Sequence, residues 1–520
     1  MLGKRDPQHS LFAAATQLGA EVVAEMGFYG QLARHAHKIF RDEDFADAYC
    51  LDNGRPSVPP SLLAIARLLQ VYEKLSDREV VQRAKYDLRW KVALGQDAFS
   101  IEPPFVKSTF QAFRARLTLH LQDGLVFEKS VKAAKEAGLL PDPLRVALDS
   151  SPVRGRGAIK DTFNLLSDAI AAVVRSIART KGKKPGEVAQ AAGVERHLDA
   201  PSIKGSEVVD WTDERSVSQF LDGLLEDCDR TVRLAKEAGC ASEELTLLHK
   251  IVAQDVDRGD EHEGPKIRQG VAKERTVSAT DPEMRHGRKS SGKTFNGHKG
   301  HNAVALGSGV ITAIEVTAPS SSDGSQVGEL LRQTTETTGC EVVGAVGDCA
   351  YSTRESLRQA AEANVEMITK MPAGKKGQYR PGDFEVSEDR QSARCPAGHA
   401  SAKQRRRSQN GLEFLEHVWS PEHCVVCPLR EACTKAKCRS LRVYADFHDR
   451  RSREQYARTE EGRADLRGRT VVEHALGRLK NVGAGTARYF GRVKTKVQWQ
   501  WSAALVNLHL VWAQEATARV

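Results

Sequence analysis

Glu341–Ser352 reads EVVGAVGDCAYS. The run Val342–Val346 is almost continuously apolar, β-branched and too short for a helix. It predicts a strand buried on both faces, the pattern of a parallel strand covered by helices. The strand reaches Asp348 and gives way to TRESLRQAAEAN, which has helical spacing, and then to a second strand in VEMITKMP. Upstream, SDGSQVGELLRQTTETTG reads as a helix that starts at Ser322 or Asp323 and stops at Gly339. Alternating strands and helices of these lengths imply parallel crossovers.

Working outward, TFNGHKGHNAVAL and GVITAIEVTAP alternate as strands and meet at Gly307-Ser308-Gly309, a hairpin signal. LRVALDSSPVRG is a β-rich run whose strand is expected to end at Asp149, ahead of a Pro/Gly turn. Together these elements predict an α/β fold with a mixed sheet. Residues 1–140 read as a helical N-terminal domain: SLLAIARLLQVYEKLS follows a Pro59-Pro60-Ser61 start, and STFQAFRARLTLH carries Arg114 and Arg116 on a basic face that suits DNA contact. Residues 141–376 and 441–520 are expected to form the sheet domain, with a helical insertion over about 161–270. Residues 377–440 form a Cys-rich insertion with little periodicity, expected to lack an apolar core of its own. VQWQWSAALVNLHLVW is expected to pack as a helix with its tryptophans in the core.

The chain has 520 residues, 40% of them hydrophobic and 28% charged, an ordinary globular composition. No apolar run approaches the ~18 residues of a membrane span, and the N-terminus lacks a secretory pattern, so a cytoplasmic, nucleoid-associated protein is expected. The net charge is +9. From Leu441 to Val520 there are 15 Lys+Arg against 8 Asp+Glu, a net +7 that favours a phosphate-rich partner.

Asp149 and Asp348 stand where strands end, and such ends gather polar groups from distant sequence. A third carboxylate lies in Leu466–Lys480, LRGRTVVEHALGRLK. Read as one helix, this segment places Arg469, Glu473 and Lys480 in one sector beside an apolar stripe of Val472, Leu476 and Leu479. Arg469 and Glu473 could form a surface i,i+4 pair. Alternatively, Asp149, Asp348 and Glu473 converge, and their repulsion calls for a divalent cation, Mg²⁺ or Mn²⁺, with Arg469 and Lys480 on DNA phosphates. Among nearby acids, Asp281 reads as a turn or cap and Glu315 as a solvent-facing strand residue. Lys293 and Lys299, with Arg285, Arg288 and Lys289, make a basic stretch for phosphate contact. His298 and His301 lie in the same stretch and read as DNA-backbone or structural contacts.

The spacing Arg469-x3-Glu473-x6-Lys480, the segment Gly347-Asp348-Cys349-Ala350-Tyr351 and Leu148-Asp149-Ser150-Ser151 resemble the three acid motifs of DDE transposases of bacterial insertion sequences. The family's third motif opens with Tyr, where this chain has Leu466. The resemblance implies a ribonuclease-H-like catalytic fold and phosphodiester hydrolysis at element ends. It also implies strand transfer by the freed 3′-hydroxyl and a homodimer at work. A ribonuclease-H-like nuclease or resolvase without strand transfer is the alternative enzyme. A domesticated, zinc-containing DNA-binding protein is the non-catalytic one.

Five of the ten cysteines fall between Cys395 and Cys438. Cys424 and Cys427 have zinc-knuckle spacing, with Cys395, Cys433 and Cys438 as further candidate Zn²⁺ ligands. Reduced cysteines in a loop are the other reading. Cys349 is expected to pack under the strand end.

Overall fold

The computed structural model describes residues 1–5, 13–120, 122–199, 201–259, 264–270, 272, 274–290, 292–370, 378–409 and 411–517. The expected boundary at 376 lies outside them. The chain is a mixed α/β protein. Its main sheet contains β1 (Leu144–Arg154), β2 (Arg285–Ser290), β3 (Lys293–Ala305), β4 (Ile311–Thr317), β5 (Val342–Gly347) and β6 (Glu366–Thr369). β1 is central. It runs antiparallel to β3 and parallel to β5, and β5 runs parallel to β6. β4 and the short β2 both pair antiparallel with β3, on its other edge.

The inner strands are apolar because both their faces are covered. Leu144, Val146, Ala147 and Leu148 of β1 and Ala345 and Val346 of β5 are fully buried. The C-terminal helix Arg492–Thr517 lies against the sheet with Trp499, Trp501 and Trp512 in the core, as the sequence implied. Gly300 of β3 makes room for this helix, since a Cβ there would stand 2.3 Å from the Trp499 ring. The same core continues into the N-terminal helices, through Phe28, Leu63, Leu68 and Phe110. Helix Pro60–Glu73 begins with proline in its first turn, where a missing N–H costs nothing.

Three expectations are corrected. β1 does not end at Asp149. Its parallel register with β5 stops at Ala147↔Val346, but its antiparallel register with β3 carries it on to Arg154. Leu466–Lys480 is not one helix. Helix Glu460–Gly468 stops, Arg469 stands at the junction, and helix Thr470–Asn481 follows. The Cys-rich insertion has its own core of Phe384, Val386, Trp419, Leu441, Val443 and Phe447. Beside this core stands an antiparallel sheet of β7 (Lys403–Gln409), β8 (Leu412–Val418) and β9 (Ser440–Tyr444). The helical insertion, from helix Thr162–Lys181 to helix Glu243–Asp255, also packs on a separate core.

Candidate active site

The end of the parallel part of the sheet brings two aspartates together. Asp149 lies two residues beyond the last β1–β5 pair, and Asp348 is the first residue after β5. Asp348 Oδ1 accepts the Ala350 N–H at 2.8 Å and caps a short 3-10 turn, Cys349–Tyr351. That hydrogen bond fixes one carboxylate oxygen and leaves the other available. Asp149 Oδ1 accepts the N–H of Ser150 at 2.7 Å.

Glu473 reaches this site through Arg469. Arg469 Nη1 donates to Asp149 Oδ2 at 3.2 Å, and its Nη2 donates to Glu473 Oε1 at 2.5 Å. The anticipated i,i+4 pair therefore exists, and the same guanidinium also ties the helix to the strand acid. Glu473 remains 56% exposed, whereas Asp149 is 18% exposed. Burial pushes the Asp149 carboxyl up to about 6, Asp348 and Asp323 add to the rise, and Arg469 opposes it. Lys480 is lowered by burial and by Lys289, while the Asp149 charge pulls it back up.

Two further polar residues belong to this surface and carried no signal of it in the sequence. Asn302 sits directly across from Asp149 in the β1–β3 register, hence on the same face. It is fully buried, and neither its Oδ1 nor its Nδ2 has a hydrogen-bond partner among the described residues. Asp323, expected only to start a helix, opens a short 3-10 turn, Asp323–Gln326, and pairs with Lys299 Nζ at 3.1 Å. The buried Tyr351 hydroxyl also lacks a partner among the described residues, and burial, then Asp323, Asp149 and Asp348, push it well above its ordinary range. Hard carboxylate oxygens beside unsatisfied amide and hydroxyl groups suit a hydrated divalent cation. Among the described residues, no three His, Cys, Asp or Glu side chains stand close enough to hold a metal as placed. Arg469 lies between Asp149 and Glu473 and supplies the positive charge there.

The other anticipated contact residues divide. Lys293 is exposed at the start of β3. Lys299 is engaged with Asp323 and with the Ser321 carbonyl at 2.7 Å. Arg114 donates to both oxygens of Asp77, at 2.7 and 2.6 Å, and so braces two helices instead of offering a free cation. The Arg116 guanidinium lies 4.8 Å from the Tyr49 ring centre. His298 is buried against Asp281 at 3.3 Å, so the two form an internal pair, and Asp281 also opens the turn expected of it, its carbonyl accepting the Met284 N–H at 3.1 Å. Glu315 is not solvent-facing either, since Lys496 Nζ meets it at 2.6 Å. Cys349 is exposed, contrary to the packed position expected for it.

In the insertion, Cys395, Cys424, Cys427 and Cys433 line one small cavity with His399 and His423, whose rings stack at 4.5 Å. Cys438 is not among the lining residues. Burial raises the Cys433 thiol, Arg439 lowers it, and Cys424, Cys395 and Cys427 add to the rise.

The fold is that of an α/β protein in which two aspartates meet where the central parallel strands of a mixed sheet end. Residues 394–512 match the family model described as Transposase DDE domain, and residues 25–116 match the one described as Transposase domain (DUF772). No curated protein and no solved structure matches the chain. The two matches, which together span less than half of the chain, support a DDE transposase of insertion sequences. The first match includes Glu473 and residues 394–440 of the Cys-rich insertion, while Asp149 and Asp348 fall between the two. Among the described residues no helix is long and apolar enough to cross a membrane.

Proposed function

We propose that Asp149, Asp348 and Glu473 form one catalytic site, on a ribonuclease-H-like sheet, that cuts DNA at the element ends and joins the freed 3′-hydroxyl to target DNA. The observation that carries this reading is the Arg469 bridge, which draws the helix acid Glu473 to the strand acid Asp149 beside Asp348. The sheet order β4-β3-β1-β5-β6, antiparallel in its first half and parallel in its second, supports the fold assignment.

The three carboxylates would hold Mg²⁺ or Mn²⁺, which when bound supplies activation of the attacking oxygen and neutralises charge at the departing one. Asp149 keeps its proton to about pH 6, so its readiness as a ligand falls below that pH. Asp348 is oriented by the Ala350 N–H, and Asn302 offers an amide to hold an oxygen next to Asp149. Arg469, released from the acids, and Lys480 would take DNA phosphates and hold the scissile strand in line, with Lys293 further out. No side chain is required as a covalent nucleophile: water attacks first, and then the freed 3′-hydroxyl attacks a target phosphorus and displaces the target strand's 3′-oxygen, which leaves as a hydroxyl. The need to hold two ends together supports a homodimer at work.

The thiols of Cys395, Cys424, Cys427 and Cys433 would hold Zn²⁺ as a clip on the insertion, with Cys438 left out. Helices 1–140 would form the end-recognition part, residues 141–376 and 441–520 the catalytic part, and 377–440 an accessory insertion.

The experiment is metal-dependent nicking of DNA that carries the element ends. Asp149→Asn, Asp348→Asn and Glu473→Gln should each abolish cleavage while DNA binding persists. A variant that cuts at the wild-type rate removes its residue from the site.

A further inference from the structure

β7 reads KQRRRSQ, and all seven of its residues are exposed. A strand that buries no side chain is held chiefly by its backbone ladder to β8, so its side chains are not there to fill a core. Over a rise of ~3.3 Å per residue it places Lys403, Arg405, Arg406 and Arg407 with no carboxylate among them. Arg407 pairs with Glu416 on β8 at 2.8 Å. Lys403, Arg405 and Arg406 have no ion-pair partner among the described residues. Alternation puts Lys403, Arg405 and Arg407 on one face and Arg406 on the other, so positive charge wraps the sheet edge.

The charge continues inward. Arg442 of β9 donates to Gln409, the last residue of β7, at 2.6 Å. Arg442 also lines a cleft of about 470 Å³ whose wall holds six arginines and two carboxylates. Asp446 pairs with Arg354 at 2.8 Å and Glu454 with Arg380 at 3.2 Å. Arg439, Arg442, Arg450 and Arg451 have no carboxylate partner among the described residues, and the Nε atoms of Arg439 and Arg451 are buried without an acceptor there. Guanidinium groups crowded in this way repel one another unless an anion is shared among them. Arg354 begins helix Arg354–Glu362, six residues beyond Asp348. Helix Phe447–Tyr456, which carries Arg450 and Arg451, is fastened to β6 by Arg453 Nη1 donating to the Met367 carbonyl at 2.9 Å. The cationic surface thus starts near the Asp348 turn and runs outward along β7.

We propose that this surface, from the arginine cleft to β7, binds the phosphate backbone of the DNA duplex where it extends away from the active site. It is a second contact, distinct from Arg469 and Lys480, and independent of base sequence. A free anion could occupy the cleft, but the exposed cations of β7 extend the surface well beyond a single anion and fit an extended polyanion. The proposal rests on the transposase reading, because that reading supplies the duplex.

The test is equilibrium binding of the full chain to a mixed-sequence DNA duplex over a range of salt concentrations. The triple variant Lys403→Ala, Arg405→Ala, Arg406→Ala removes exposed groups that hold nothing in the fold. The control Lys181→Ala, Lys183→Ala, Lys184→Ala removes the same charge from an exposed stretch of the helical insertion. The β7 variant is expected to bind about ten-fold or more weakly at low salt. Its slope of log Kd against log salt should be shallower by about two to three, at ~0.9 for each phosphate that is no longer neutralised. The control should stay within about two-fold of wild type, since screening limits distant charge. Equal weakening in the variant and the control, or no weakening in either, would overturn the surface while leaving the transposase reading intact. A wild-type chain that fails to bind duplex DNA at all would overturn the reading on which the surface rests.

Discussion

Asp149→Asn should make the folded protein more stable at neutral pH while removing its activity. Burial holds the Asp149 carboxyl at about 6 against an ordinary 3.8. The shift of about two units, at ~1.4 kcal/mol per unit, corresponds to about 3 kcal/mol. The sign follows from which state holds the proton. Below about pH 3.8 both states are protonated and the group contributes nothing. Between there and about pH 6 the folded state binds the proton more tightly, so stability falls as pH rises. Above about pH 6 the whole cost of a buried carboxylate is present. Asparagine is neutral at every pH and has nearly the same shape, so it avoids this cost but forgoes the Arg469 contact. The net expectation is a gain of about 1–3 kcal/mol at pH 7.5, fading to near zero at pH 4. Thermal or urea unfolding of the two proteins at both pH values measures it. A drop in stability at pH 7.5, or an equal change at both values, would refute the burial argument.

Other consequences can be measured independently. Trp499→Ala removes a 1% exposed indole whose Nε1 donates to the Ala484 carbonyl at 2.8 Å, and it should cost about 3–5 kcal/mol in unfolding experiments. Asp77→Ala strands Arg114 between two N-terminal helices and should destabilise by about 3 kcal/mol, with no specific change in the catalytic step measured on pre-bound DNA. Protein purified without chelators should carry about one zinc per chain; Cys424→Ser should lose it and Cys438→Ser should keep it, as read by metal analysis. At subsaturating Mg²⁺, cleavage should fall as pH drops below about 6, where the proton on the metal-free Asp149 competes with the ion, and an Mg²⁺ requirement that does not change with pH across this range would exclude Asp149 from the metal set.

The sheet was legible in the sequence where burial writes itself into the residues. Val342–Val346 and the hairpin around Gly307–Gly309 carried their own signals, and the C-terminal tryptophans proved to be core. Asp348 was legible because β5 pairs in parallel on both sides and stops where its apolar run stops. Asp149 was harder to place. It sits where one neighbour's register ends and the other's continues, and only the pairing of distant strands decides that. The same holds for Asn302, whose importance comes from lying opposite Asp149 and from nothing in its own neighbourhood. β7 was illegible for a different reason. It has no buried face and therefore no alternation, and β8 specifies it through backbone hydrogen bonds. Arg114 has the composition of a DNA contact, but Asp77, 37 residues earlier, claims it.

Asp149, Asp348 and Glu473 are proposed to form one metal-binding site. Fe²⁺ substituted for Mg²⁺, with peroxide added, generates radicals that cut the polypeptide next to the bound ion. The expected result is backbone scission at three places, near residues 149, 348 and 473, suppressed together by excess Mg²⁺ and by Asp348→Asn. Scission at only one of these places, or scission that Asp348→Asn leaves unchanged, would contradict a shared site.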